Sequence, residues 1–200
     1  MRARLKGIRG DLFWDIGANI GFYSLLMREN FSKIMAVEPN AETAATLRRR
    51  IRGVDNIEVL EIALSNASGP VNFYTRKDKF SIPGFNNRNG SDSLVSRVEY
   101  KSARDPSNDR VVEKRPSVQV LQRRFDELSA GSVDLVKIDV EGAEFLVLEG
   151  MRNSLQNRSV KGIMVELHNR EDKTRLESIF VPCGYTVEWV DPDHLFATIR

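Results

Sequence analysis

The chain has 200 residues, of which 41% are hydrophobic and 29% charged, a composition typical of one soluble globular domain. Its net charge of +2 lacks the strong basic excess of proteins that mainly bind nucleic-acid phosphates. Its single cysteine excludes an intrachain disulfide and a multi-cysteine zinc site. The sequence contains neither a signal peptide nor a membrane-spanning run, so we expect a cytoplasmic protein that does not bind a membrane, and nucleic acid is an unlikely partner.

Short apolar runs alternate with helical patterns along most of the chain. Five runs have the length and the continuous apolar character of strands covered on both faces: 12–16, 33–38, 57–62, 133–139 and 162–166. Helical patterns cover 22–29, 41–51, 143–153 and 173–180. This alternation predicts an α/β fold, doubly wound around a mostly parallel sheet. The tail adds an antiparallel hairpin with a turn at Asp191 to His194, whose composition is better explained by turn formation than by metal binding.

One polar segment interrupts this pattern. From Arg76 to Arg115 the chain is rich in Ser, Asn, Arg and Asp and contains the turn-forming pairs Pro83-Gly84 and Asn89-Gly90. A loop of this length inside a compact domain is usually functional or disordered. We therefore expect a single domain over 1–200, with 76–115 as a substrate lid or a disordered loop.

The segment DIGANIG stands where the first predicted strand meets the first helix. In open α/β sheets this turn binds ligands, and Gly17 and Gly21 permit tight turning beside the carboxylate of Asp15. Asn19 breaks the G-x-G-x-x-G pattern of dinucleotide sites, whereas Glu38, about twenty residues on, is placed to bind ribose hydroxyls. These features favour a nucleoside without a diphosphate, such as the cation S-adenosylmethionine. Taken singly, Asp15 is better explained as a helix cap and Glu38 as a surface carboxylate, and it is their combination with DIGANIG at this spacing that favours a cofactor site.

Four further polar residues stand at or just after the ends of the last two of the five predicted strands, 133–139 and 162–166. Asp139 and Glu141 follow the strand VDLVKI, and Glu166 and His168 stand at the end of GIMVELH. The carboxyl ends of parallel strands share one edge, so all four are candidates for a general base or for ligands of Mg²⁺ or Mn²⁺. A helix-capping role for Glu141, a loop role for His168 and the presence of a metal all stay open.

Several segments in order resemble the FkbM family of S-adenosylmethionine-dependent methyltransferases, which belongs to the class I Rossmann-like superfamily. They span roughly 11–169, and KIDVEGAE is the most discriminating: DIGANIGFYSLL, VEPNAETAATL, NIEVLEIALSNASG, SDSL, VQVLQRRFDEL, VDLVKIDVEGAEFLVLEGM and IMVELHN. The resemblance implies a seven-stranded Rossmann-like sheet with an inserted loop and strand region around 70–122. It also implies O-methylation of a hydroxyl on a sugar or another small molecule, with Asp139, His168 or a metal helping to deprotonate it.

The resemblance further implies a set of cofactor-binding residues. Those around the methionine part are Asp15, Gly17, Ala18, Asn19, Gly21, Phe22 and Ser24. Glu38, with Pro39, would bind the ribose, and Ala63 and Leu64 would flank the adenine. Family members usually have a longer segment before the first motif, so part of the substrate cap is expected to be absent or supplied by another chain, which leaves a homo-oligomer open.

Two other functions are weighed against this one. An RNA methyltransferase is disfavoured because IDVEG stands where amine methylators tend to carry an N/D-P-P-Y/F-like motif, and because the charge is balanced. A nucleoside-binding module without catalysis predicts that changes at Asp139 or His168 affect nothing beyond binding.

Overall fold

The computed structural model describes residues 2–74 and 117–199. The strands are β1 (Gly10–Ile16), β2 (Phe31–Val37), β3 (Ile57–Leu60), β4 (Ala63–Leu64), β5 (Gly69–Tyr74), β6 (Ser117–Arg123), β7 (Val133–Ile138), β8 (Val160–Glu166), β9 (Tyr185–Asp191) and β10 (His194–Ile199). The α-helices are α1 (Arg2–Lys6), α2 (Phe22–Met27), α3 (Ala41–Arg50), α4 (Phe125–Leu128), α5 (Glu144–Gly150), α6 (Arg152–Gln156) and α7 (Lys173–Phe180). Short 3₁₀ turns cover Arg170–Asp172 and Val181–Cys183.

Seven strands form the main sheet, in the order β3-β2-β1-β7-β8-β10-β9. The first five in this order pair in parallel, and β10 is antiparallel to both β8 and β9. The predicted α/β fold with a mostly parallel sheet and a C-terminal hairpin is thus confirmed. Because strand order reverses between β1 and β7, the loops after these two strands open a crevice at the carboxyl edge of the sheet.

A second sheet of three strands, ordered β4-β6-β5, flanks the inserted region. β5 and β6 pair antiparallel from Gly69 with Gln122 to Tyr74 with Ser117. This confirms strands in the inserted region predicted around 70–122. The segment 76–115, predicted as a lid or disordered loop, lies outside the described residues, as does the SDSL motif.

The main sheet is covered on both faces, which explains why its strands are apolar without strict alternation. Within β1, Phe13 belongs to one buried apolar cluster and Trp14 to the other. The predicted helix 143–153 is instead two helices, broken at Met151. The carboxylate of Asp126 accepts the backbone N–H groups of Asn153 and Ser154, which fixes a separate start for α6. In the ranges 2–74 and 117–199, every helix falls short of the length and apolarity that a membrane crossing requires.

Candidate active site

The loop after β1 is held in a backbone conformation that depends on glycine. Gly17 has a φ of 76°, and a Cβ there would lie 1.8 Å from the carbonyl oxygen of Asp139. Its N–H and that of Ala18 both donate to the carbonyl oxygen of Val37. The loop is therefore fixed between the ends of β2 and β7, which is the position where the sequence predicted a ligand.

Glu38 connects this loop to the end of β2. Its Oε2 accepts the N–H of Asn19 at 3.0 Å, and its Oε1 accepts the N–H of Asn40 at 2.9 Å. Asn40 also caps α3, where its side chain accepts the N–H of Thr43. Each carboxylate oxygen can accept more than one hydrogen bond, so a positioned Glu38 keeps capacity for ligand hydroxyls.

A cleft lies between these loops. One part of its wall is apolar, and another carries the carboxylates of Glu38, Asp139 and Glu141. The lining residues are Ile16, Gly17, Asn19, Val37, Glu38, Pro39, Thr43, Ile62, Ala63, Leu64, Phe73, Asp139, Val140 and Glu141. The predicted residues that line it are Gly17, Asn19, Glu38, Pro39, Ala63, Leu64, Asp139 and Glu141.

The other predicted cofactor residues are placed differently. Asp15 and Ser24 are fully buried and joined by a 2.6 Å hydrogen bond from the Ser24 hydroxyl to Oδ2 of Asp15. Ala18 is buried as well, and a Cβ at Gly21 would meet Leu47, so both pack into the fold. Phe22 is 41% exposed and packs edge-on against Tyr23. These five positions support the turn and are not among the residues that line the cleft.

His168 lies among carboxylates beside the cleft. Its Nε2 is 3.2 Å from Oε2 of Glu141 and 3.9 Å from Oδ1 of Asp139. Its Nδ1 is 2.7 Å from Oε1 of Glu144, which is buried and also accepts the N–H of Gly142. Burial alone would lower the pKa of His168, but hydrogen bonds and charge from Glu141 and Glu144 outweigh it and raise that pKa to about 11. At neutral pH the ring is therefore an imidazolium.

Asp139 is joined to a lysine inside the sheet. The side chain of Lys137 is 1% exposed, and its Nζ lies 3.0 Å from Oδ2 of Asp139 and 3.8 Å from Oδ1 of Asp15. Burial would lower the pKa of Lys137, but the two carboxylates outweigh it and raise that pKa, so the ammonium stays charged. Burial raises the pKa of Asp139, and the charge of Glu166 adds to this rise, although Lys137 opposes it.

Glu166 lies at the same edge but pairs with a different histidine. Its Oε2 is 3.2 Å from Nε2 of His194, the residue opposite it across β8 and β10. Nδ1 of His194 contacts Asp191 at 2.6 Å, and Asp191 also accepts the N–H groups of Asp193 and His194. The predicted turn is thus confirmed. The hydrogen bond from His194 lowers the pKa of Glu166 despite burial, so this carboxylate is ionised at neutral pH.

Sequence reasoning missed three residues of this region: Lys137, Glu144 and His194. For Lys137 a signal existed, because a charge inside the apolar strand VDLVKI is exceptional, and residues two apart on a strand share a face. Lys137 and Asp139 are two apart. Glu144 and His194 carried no such signal, since their contacts depend on how β8 and β10 align.

Three of these side chains could together hold a divalent cation. One ligand atom each from Asp139, Glu141 and His168 lies within 4.8 Å of the other two. Two carboxylates and an imidazole suit Mg²⁺ or Mn²⁺. Because Nε2 of His168 now faces Glu141, a cation bound there would take the place of its proton.

The comparison with protein families decides the affiliation of the chain. The family described as the methyltransferase FkbM domain matches residues 15–197. The chain belongs to this family. The resemblance noted in the sequence is thus confirmed.

Two curated relatives modify sugars or hydroxyls according to their names. The hexuronic acid methyltransferase AglP of Haloferax volcanii is 31% identical over 84% of this chain and 62% of its own length. The 2-O-methyltransferase NoeI of Sinorhizobium fredii is 26% identical over 70% of this chain and 57% of its own length. The chain thus spans less than two thirds of either relative.

Solved structures agree on the fold. The match to the FkbM methyltransferase from Methylobacillus flagellatus has a TM-score of 0.61 at 14% identity. It covers 94% of this chain and 43% of that protein. A Streptococcus mutans protein in complex with SAH has a TM-score of 0.52 at 7% identity, with 98% and 92% coverage. At these identities the likeness establishes a Rossmann-like methyltransferase fold.

Proposed function

We propose that this methyltransferase uses S-adenosylmethionine to methylate a hydroxyl group of a sugar or another small molecule. The observation that carries this proposal is the position of Asp139, which lines the cleft and also contacts the cluster around His168. In this proposal a single carboxylate serves both the cofactor cleft and the side from which the acceptor approaches. A cytoplasmic location remains part of the proposal.

The groups that line the cleft fit this cofactor. Glu38 offers ribose hydroxyls an acceptor that is already oriented by two backbone N–H groups. The apolar wall around Ala63 and Leu64 suits an adenine ring, and the carboxylates of Asp139 and Glu141 favour a cationic sulfonium. When bound, the cofactor supplies an electrophilic methyl group. The complex of the Streptococcus mutans neighbour with SAH supports the same ligand.

We assign the general base to Asp139. Its side chain keeps 24% exposure, so it can reach an acceptor, and its raised pKa makes it a stronger base than an ordinary aspartate. It would accept the hydroxyl proton through an oxygen that faces the acceptor. His168 as an imidazolium holds its proton and instead offsets the charge of Glu141 and Glu144. Positioning of both reactants supplies the rest of the rate.

A divalent cation is the alternative way to activate the hydroxyl. Asp139, Glu141 and His168 would hold it, and it would lower the pKa of a bound hydroxyl as a Lewis acid. Assay in the presence of EDTA separates the two mechanisms. Full activity in EDTA assigns deprotonation to the side chains, whereas a loss that Mg²⁺ restores assigns it to the cation.

The names of two relatives support the proposed class of acceptor. A hexuronic acid and a 2-O position both present oxygen nucleophiles, so the names of AglP and NoeI support oxygen as the methylated atom. Glu166, ionised and held by His194, adds a hydrogen-bond acceptor for further hydroxyls on the same edge of the sheet. Both features fit a polyhydroxylated acceptor. The proposal leaves open an oligomer in which a second copy completes the acceptor site, and the molecular mass in solution tests for it.

Two experiments test the proposal. Calorimetric titration with S-adenosylmethionine and SAH is expected to show one site for each, and absence of both would overturn it. Tritiated methyl transfer is then measured with a panel of methyl glucoside, methyl glucuronide and RNA. Asp139→Asn is expected to lower the rate at least a hundredfold with SAH binding little changed, since a general base contributes about 10² to 10⁴. Asp11→Asn, an exposed aspartate at the opposite edge of the sheet, is the control.

A further inference from the structure

Lys137 is a buried charge that neither the fold nor the proposed chemistry explains by itself. It belongs to β7, where its neighbours Val136 and Ile138 are fully buried and apolar. Its own side chain is 1% exposed. A buried ion pair is often no more stable than apolar residues of similar size, so stability gives little reason for a lysine here. A buried charged side chain beside a cleft is a candidate functional residue.

Three groups surround the ammonium of Lys137. Oδ2 of Asp139 lies at 3.0 Å, Oδ1 of Asp15 at 3.8 Å, and the centre of the Tyr23 ring at 4.6 Å. Asp15 and Lys137 are direct register partners across β1 and β7. The lysine thus lies between a carboxylate of the first strand, which is also bonded to Ser24, and a carboxylate that lines the cleft.

We infer that Lys137 is a positioning residue for methyl transfer, which orients the carboxylate of Asp139 toward the cleft by holding one of its oxygens. This inference rests on the proposed role of Asp139. With Oδ2 engaged by Lys137, Oδ1 is the oxygen that faces His168 and the acceptor side. Lys137 also separates two carboxylates that would otherwise repel each other across adjacent strands.

This arrangement explains why the lysine stands two residues before Asp139. Side chains two apart on a strand point to the same face, so the cation and the carboxylate meet without any loop movement. The rigid strand then fixes the orientation of Asp139, although Asp139 itself follows the last residue of β7. A base at a strand end needs such a fixed partner because small misplacements are costly to the rate.

The first test is structural and needs no acceptor. Crystal structures with SAH are compared for the wild-type protein, Lys137→Met and Lys161→Met. Lys161 is the matched control because it also pairs with an aspartate, Asp134 at 2.6 Å, but at the exposed amino edge of the sheet. We expect the Asp139 carboxylate to rotate or shift by about an ångström only in Lys137→Met. An unmoved Asp139 would overturn the inference.

The second test is a double-mutant cycle on the rate, with the glycoside that the wild-type protein methylates fastest. Lys137→Met is expected to lower kcat by roughly ten- to a hundredfold, as a misplaced group does, while the KM for S-adenosylmethionine changes less than about threefold. In the Asp139→Asn background the same change should cost almost nothing. An equal loss in both backgrounds would indicate a general structural role and refute the inference.

The outcomes separate this inference from the proposed function. A wild-type protein that binds neither S-adenosylmethionine nor SAH refutes the proposed function, whereas an active protein insensitive to Lys137→Met refutes only the inference. If Lys137→Met does not fold, Lys137→Gln carries both tests, since it keeps a donor with shorter reach.

Discussion

The backbone N–H of Asn19 lies 3.0 Å from Oε2 of Glu38, so the loop after β1 is bound to the carboxylate that ends β2. The first glycine-rich motif and the predicted ribose acid therefore form one unit. A ligand that contacts either of them depends on both.

Glu38→Gln tests this unit. An amide offers only one acceptor oxygen, so it cannot serve Asn19, Asn40 and a ribose together. We expect SAH affinity measured by calorimetry to fall about tenfold or more, because hydrogen bonds to charged groups are worth about 1.5–3 kcal/mol. Glu61→Gln, an exposed glutamate paired with Arg48, should leave the affinity unchanged. Equal affinities of the two variants would contradict the ribose-binding role.

Gly17→Ala tests the close approach of the first loop to β7. Gly53 is the matched control, because its φ of 78° is close to the 76° of Gly17 but a Cβ there would meet nothing within 4 Å. Gly53→Ala should cost about 1–2 kcal/mol in the free energy of unfolding from backbone strain alone. Gly17→Ala should cost about 3 kcal/mol or more, because its Cβ also collides with Asp139. Urea titration measures the difference.

The stability of the protein should depend on the proton of His168. Its pKa is raised from 6.5 to about 11 in the folded state by Glu141 and Glu144 against the opposing effect of burial. The stabilisation is thus complete below pH 6.5 and is lost as pH rises toward 11. Between pH 6.5 and 9 the wild-type protein should lose unfolding free energy faster than His168→Gln. Parallel slopes in urea titrations at several pH values would show that this histidine is uncharged when folded.

Glu144→Gln should destabilise the cluster around His168, in which Glu144 is the buried carboxylate. Glu144 accepts hydrogen bonds from His168 and from the N–H of Gly142. Replacing its charge leaves the imidazolium with a weaker partner, so we expect a loss of about 1.5–3 kcal/mol in unfolding free energy. Glu149→Gln, in the same helix but exposed and bonded to Asn66, should change it by less than about 0.5 kcal/mol. Equal unfolding temperatures for the two variants would contradict the role of Glu144.

The sequence predicted those features of the site whose positions depend on neighbouring residues or on where a strand ends. The loop at Gly17, the carboxylate of Glu38 and the edge shared by Asp139 and His168 follow from motif position in a parallel sheet. Contacts that depend on the register between strands could not be predicted from the sequence. Glu166 was grouped with His168, but β10 places His194 opposite it, and only the alignment of two antiparallel strands determines that pairing. Likewise, the contacts of Asp15 with Lys137 and Ser24 were not predicted, whereas its place beside the ligand stays a prediction.

The position of β10 between β8 and β9 sets the order in which the sheet can be completed. β9 leaves the ribosome before β10, yet within the described chain its pairing partner in the sheet is β10. Until β10 has been synthesised, β8 has an open edge and β9 has no place to dock. The contact between Glu166 and His194 therefore cannot form until the C-terminal strand of the described chain has been synthesised.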